Sequence, residues 1–156
     1  MVVLLGFPDG RAELATAAAV DLLAATPAGQ RVVPWAPATV RTLRPADDPL
    51  EGVALFARGS FSAWMARDRL VPVGPGRYAA DIALGAGEHT YKFADLAWGA
   101  AANFGGPVGG DGLTVGADSS NLRLTADAPA TWRLALEAWD AADGGRVWLP
   151  AAAVVE

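Results

Sequence analysis

From Val53 onward the chain sets short apolar or alternating runs between cuts at Gly, Pro and Asp, spaced about 8–12 residues apart, the pattern of an antiparallel sandwich or barrel. It predicts strands at Val53–Ser60, Arg77–Ala83, His89–Ala94, Asn121–Thr125, Trp132–Ala138 and Arg146–Leu149. Gly74-Pro75-Gly76, Gly85-Ala86-Gly87 and Asp143-Gly144-Gly145 supply the fixed and positive φ angles that hairpins demand. Leu55, Tyr78, Ile82, Phe93, Leu122, Leu124, Leu134 and Leu136 are the expected core. The segment from Gly99 to Asp118, with Gly105-Gly106, Gly109-Gly110 and Gly112, reads as a flexible binding loop without a regular element.

The opening residues follow another pattern. Val2–Leu5, Ala12–Leu14, Gln30–Val33 and Thr39–Leu43 suit four short strands, and Ala15–Ala25 suits either a strand pair or one helix, because its apolar residues run almost continuously. So small a piece buries too little surface to stand alone. It is expected to pack on the rest through Val3, Leu5, Val33 and Val40. Pro45-Ala46-Asp47-Asp48-Pro49 reads as an exposed connection, dividing a β-rich segment at 1–48 from a sandwich at 49–156.

Composition narrows the partners. A hydrophobic content of 53% is ample for a core. A formal charge of −5 without any basic run argues against nucleic acid and anionic membranes, so no nucleic acid and no membrane partner is expected. With no cysteine there is no disulfide and no thiolate chemistry. Met1-Val2-Val3-Leu4-Leu5 breaks at Gly6 and Pro8, short of a signal-peptide core or a membrane span, and the chain reads as soluble.

Catalysis finds little support. A glycosidase needs two carboxylates about 5–10 Å apart around the scissile bond, whereas Asp47, Asp48, Asp68, Asp95, Asp111, Asp118, Asp140 and Asp143 read as solvated turn or cap residues. His89, the only histidine, has no Ser, Cys or second His motif with it. The paired glycines precede neither a Lys nor a helix and form no phosphate loop. No catalytic residue, no metal and no cofactor is expected.

Six tryptophans are many for 156 residues. Flat aromatic faces stack on sugar rings while a few polar groups bond the hydroxyls. Trp64 and Trp98 sit in polar or Gly-rich loop contexts, whereas Trp35, Trp132, Trp139 and Trp148 read as packing residues. Lys92 is the only lysine among twelve basic residues, which suggests a need for a compact ammonium.

Arg58-Gly59-Ser60-Phe61-Ser62-Ala63-Trp64, Gly76-Arg77-Tyr78, Gly87-Glu88-His89-Thr90-Tyr91-Lys92-Phe93, Asp95-Leu96-Ala97-Trp98, Asn103-Phe104-Gly105-Gly106 and Ser120-Asn121-Leu122 follow in order over residues 53–140. This run resembles the family-48 carbohydrate-binding modules of pullulanases, branching enzymes and the glycogen-binding β subunit of AMP-activated kinase. The resemblance implies that Trp64 and Trp98 stack on an α-glucan, with Lys92 and Asn121 bonding its hydroxyls; Asn103 lies in a loop of the pullulanase type. Two positions depart from the family: Ser62 replaces an Asn, and Asp118 or Ser119 replaces a Thr. The opening segment faintly resembles the C-terminal β-domain of glycosidases, which suggests descent from the tail of an amylolytic enzyme.

The expectation is therefore an all-β, immunoglobulin-like antiparallel β-sandwich with the opening β-rich segment packed on it. It would bind starch, glycogen or maltooligosaccharides as a non-catalytic accessory of a glycoside hydrolase such as a pullulanase or amylase, with that enzyme's catalytic domain as a further partner. The alternative is an immunoglobulin-like module that braces a catalytic domain without binding sugar. Exposure of Trp64 and Trp98 beside Lys92 separates the two.

Overall fold

A computed structural model describes residues 2–6, 12–16, 25–26, 29–30, 39–109 and 112–155, with side chains from Thr42 onward. The architecture is all-β, and among the described residues the only helical turns are two short 3-10 turns, Ser60–Ser62 and Ala100–Ala102. In chain order the strands are β1 Val2–Gly6, β2 Ala12–Thr16, β3 Ala25–Thr26, β4 Gly29–Gln30, β5 Thr39–Pro45, β6 Phe56–Gly59, β7 Asp68–Arg69 and β8 Val71–Gly74. There follow β9 Arg77–Leu84, β10 Gly87–Ala94, β11 Asn103–Gly109, β12 Gly112–Val115, β13 Leu122–Ala126, β14 Ala130–Ala141 and β15 Arg146–Val154.

Two long strands organise the sheet. β14 pairs antiparallel with β9, from Ala130↔Leu84 to Glu137↔Arg77, and with β15 from Trp132↔Val154 to Asp140↔Arg146. β10 pairs with β6 at Tyr91↔Gly59 to Ala94↔Phe56, and with β13 and β11. In both, the large apolar side chains recur at every second residue, as on one face of a strand, while residues of the opposite face near them are buried as well. On β14, Leu134 and Leu136 are fully buried, as is the small Ala135 between them, while Arg133 just before them is exposed and held bidentate by Asp81. On β10, Tyr91 and Phe93 point inward, with Phe93 0% exposed. Leu55, Ile82, Leu84, Leu122, Leu134 and Leu136 meet them in one core, with Tyr78, Leu124, Trp132 and Trp148 packed half-buried at its rim.

The two groups of strands do not stay separate. β11 pairs with β12 and β12 with β15, so thirteen described strands join one hydrogen-bonded sheet, which comes close to closing into a barrel. The Gly-rich stretch expected to be irregular supplies this link as two regular strands, β11 and β12. Gly105 and Gly112 in it serve close packing: a Cβ on Gly105 would run into the Ser120 carbonyl and one on Gly112 into the Trp148 carbonyl. β7 and β8, too short to show a period, were not expected either.

β1, β2 and β5 form an antiparallel meander, and β5 continues it onto β14 through Leu43↔Ala141, Arg44↔Asp140 and Pro45↔Trp139. Leu43 packs there with Ala141 and Val147. β3 pairs with β4. Of the stretch read as an exposed connection, Asp47 and Asp48 are exposed, but Pro45 belongs to β5 and Ala46 is buried with its N–H on the Ala138 carbonyl. Residues 17–24 and 31–38 lie outside the described residues, as do the side chains of Val3, Leu5, Val33 and Val40.

Candidate functional site

Trp64 is presented by the turn that leaves β6. Gly59 must be glycine, since a Cβ there would lie 2.5 Å from the Thr90 carbonyl and 2.6 Å from the Phe61 ring. Ser62, where an Asn was expected, is buried; its hydroxyl accepts the Gly59 N–H at 3.3 Å and lies within donating distance of the Gly59 and Met65 carbonyls. Ala63 and Trp64 then adopt left-handed φ angles of 49° and 63°. Trp98 is presented by the turn after β10, where Asp95 accepts the Gly99 N–H at 2.8 Å, and it too is left-handed, at φ 58°. Each such residue costs about 1–2 kcal/mol, a cost that tends to be stored at ligand sites.

Arg58 ties the two turns together. It is 8% exposed, and its guanidinium donates through Nε to the Trp64 carbonyl at 2.8 Å and through Nη1 to the carbonyls of Asp95 at 2.8 Å and Leu96 at 3.2 Å. Charge-assisted bonds of this kind contribute about 1.5–3 kcal/mol, enough to offset the left-handed residues. The same guanidinium lies 3.9 Å from the centroid of the Trp98 ring, a cation–π contact. Burial lowers its pKa, and the nearby Asp95 partly opposes this.

The two indoles meet as a result. Their centroids are 6.3 Å apart and their planes are inclined by 43°, and both are half-buried. Met65 and Leu96 beside them are exposed.

Lys92 pairs with Arg58 across β10 and β6, so it points to the same outward face, away from Tyr91 and Phe93. It is 6% exposed; Nζ donates to the Ser119 carbonyl at 2.8 Å, and burial lowers its pKa. Ser119 is also buried, and its hydroxyl bonds the Gly116 carbonyl at 2.8 Å. Asn103 pairs with Ala94 on that face but is only 3% exposed, and its Oδ1 has no partner. Asn121, just before the buried Leu122, is exposed. Of the five residues expected at the site, the structure thus pairs Trp64 with Trp98, leaves Asn121 open to solvent, and sinks Lys92 and Asn103 into the packing.

Arg58 was not foreseen as a site residue, and Ser119 entered only as a possible replacement for the Thr of the resembled family, not as the partner of Lys92. The available sign for Arg58 was its position immediately before the Gly59-Ser60-Phe61 turn. His89 approaches the Gly85 carbonyl at 2.8 Å through Nε2 and lies against Phe61. Asp143 caps the Gly145 N–H and Asp140 pairs with Arg146. Among the described residues no group of three or more His, Cys, Asp or Glu could hold a metal ion. Grooves along β8, β9 and β14, one lined by Val73, Pro75, Arg77, Glu137 and Trp139, share no residue with the indole pair. No protein-family model matches the chain, and the searches of curated proteins and of solved structures gave no match.

Proposed function

We propose that this chain is a non-catalytic α-glucan-binding module of immunoglobulin-like sandwich type, accessory to a glycoside hydrolase of the pullulanase or amylase kind. The observation that carries the reading is the pair of half-exposed indoles, Trp64 and Trp98, brought together from two turns on one face. Two inclined ring planes suit consecutive sugars of a curved chain better than the coplanar rings of an extended β-linked one. Asn121 is exposed and free to bond hydroxyls, and the resemblance of residues 53–140 to family-48 modules points the same way. The layered core between β6, β10 and β13 on one side and β9 and β14 on the other supports the sandwich reading, with β11 and β12 bridging one edge.

Sedimentation with insoluble starch, with maltoheptaose as competitor, tests the proposal. Retention that maltoheptaose reverses is expected, nearly independent of salt because the ligand is uncharged. One observation favours the bracing alternative: Leu96, 73% exposed, and Met65, 50% exposed, extend the indole pair as an apolar patch, and Lys92 is withdrawn from solvent. A protein that ignores starch yet loses the exposure of these two side chains on joining a catalytic domain would follow that reading.

A further inference from the structure

We infer that Arg58 is the positioning residue of the aromatic platform: it sets the angle between Trp64 and Trp98 before any ligand arrives, without offering a contact of its own. The inference rests on the reading of these indoles as a glucan platform. Three backbone carbonyls from two separate turns converge on one planar fork, the Trp64 carbonyl on Nε and those of Asp95 and Leu96 on Nη1. The hydrogen bonds fix the backbone at the residues that carry or flank the indoles, and the left-handed φ of Trp64 and Trp98 then sets the direction each ring leaves the chain. The guanidinium also lies over one face of Trp98 at 3.9 Å, so that a ligand has only the other face to use. At 8% exposed, Arg58 has little surface left for a sugar. A lysine could not replace it, because an ammonium is a point charge without the fixed fork needed to hold both turns.

The test uses Arg58→Met and Arg58→Lys in the full chain, with two readouts. The first is the exciton couplet of the paired indoles in the circular dichroism of the ligand-free protein, defined by its loss in Trp64→Phe. The second is affinity for β-cyclodextrin by calorimetry. Arg58→Met is expected to melt cooperatively, lose the couplet and bind roughly tenfold more weakly, the share that preorganisation supplies. Arg58→Lys should resemble it. Should Arg58→Met fail to fold, Arg58→Lys decides by the same two measurements. An intact couplet with undiminished affinity overturns the inference, and so does full recovery in Arg58→Lys, since charge alone would then suffice. Weakened binding with an intact couplet overturns it too, because Arg58 would then be touching the ligand. If the wild type binds no glucan while Arg58→Met has lost the couplet, the positioning role stands and the glucan reading falls.

Discussion

Lys92 and Arg58 face each other across β10 and β6, two cations side by side whose head groups both end on backbone carbonyls of distant turns. Lys92 reaches Ser119; Arg58 reaches Trp64, Asp95 and Leu96. Charge in this layer therefore orders backbone. The ligand, on our reading, meets mainly the aromatic surface that this ordering produces.

The seat of Lys92 depends on a missing side chain. A Cβ at Gly105 would collide with the Ser120 carbonyl, and would lie 2.9 Å from Lys92 Cε and 3.0 Å from Ser119 Oγ. Gly105→Ala should thus push apart β11 and the Ser119–Ser120 turn and lower stability by about 1–3 kcal/mol, read as a lower midpoint in urea. Gly74, with open space around its Cβ position, is the control. Gly74→Ala should stay within about 0.5 kcal/mol of the wild type.

Alkaline pH should weaken the fold through Tyr91. Burial holds its phenol at a pKa of about 12, against an ordinary 10.0. Below pH 10 the phenol is protonated whether the chain is folded or not, so its contribution is fully present; between 10 and about 12 only the unfolded chain ionises, and stability falls. Two units correspond to about 2.7 kcal/mol at most. Tyr78 is raised as well and adds to the loss, whereas Lys92, lowered by burial, opposes it only up to its ordinary value of 10.5, early in the range. Comparing Tyr91→Phe with the wild type isolates the contribution of Tyr91: a wild-type urea midpoint that falls relative to that of Tyr91→Phe as pH rises from 9 toward 12 is the expected result.

How far the residue pattern reveals this architecture differs from element to element. Ile82, Phe93, Leu134 and Leu136 could be read as core because a half-buried strand writes its inward positions at every second residue. β11 and β12 could not, because a glycine required by close backbone approach, such as Gly105 or Gly112, is spelled the same as one in a loose loop. Trp64 and Trp98 stood out by their loop contexts, and Lys92 by being the sole lysine. Their relations were hidden: the partner of Lys92 lies 27 residues further on, and Arg58 matters only once strand register sets it opposite Lys92.

Polar contributions to binding should rank below the aromatic ones. Asn121→Ala removes an exposed amide and should weaken maltoheptaose binding less than about tenfold, the worth of one modest hydrogen bond. Lys92→Gln loses the charge-assisted bond to Ser119 and should lower the melting temperature along with a comparably small loss of affinity. A Lys92→Gln protein with unchanged melting but abolished binding would instead place the ammonium on the sugar.

The most direct measurement is calorimetric titration of the wild type, Trp64→Ala and Trp98→Ala with β-cyclodextrin, with cellohexaose as the extended β-linked control. The wild type should bind β-cyclodextrin and ignore cellohexaose. Each alanine variant should keep its fold and lose about 1–3 kcal/mol of binding by removal of one aromatic face, which is roughly ten- to a hundredfold in affinity. A wild type that binds no β-cyclodextrin at millimolar ligand, or alanine variants that bind as the wild type does, would contradict the assignment of Trp64 and Trp98 as a glucan platform.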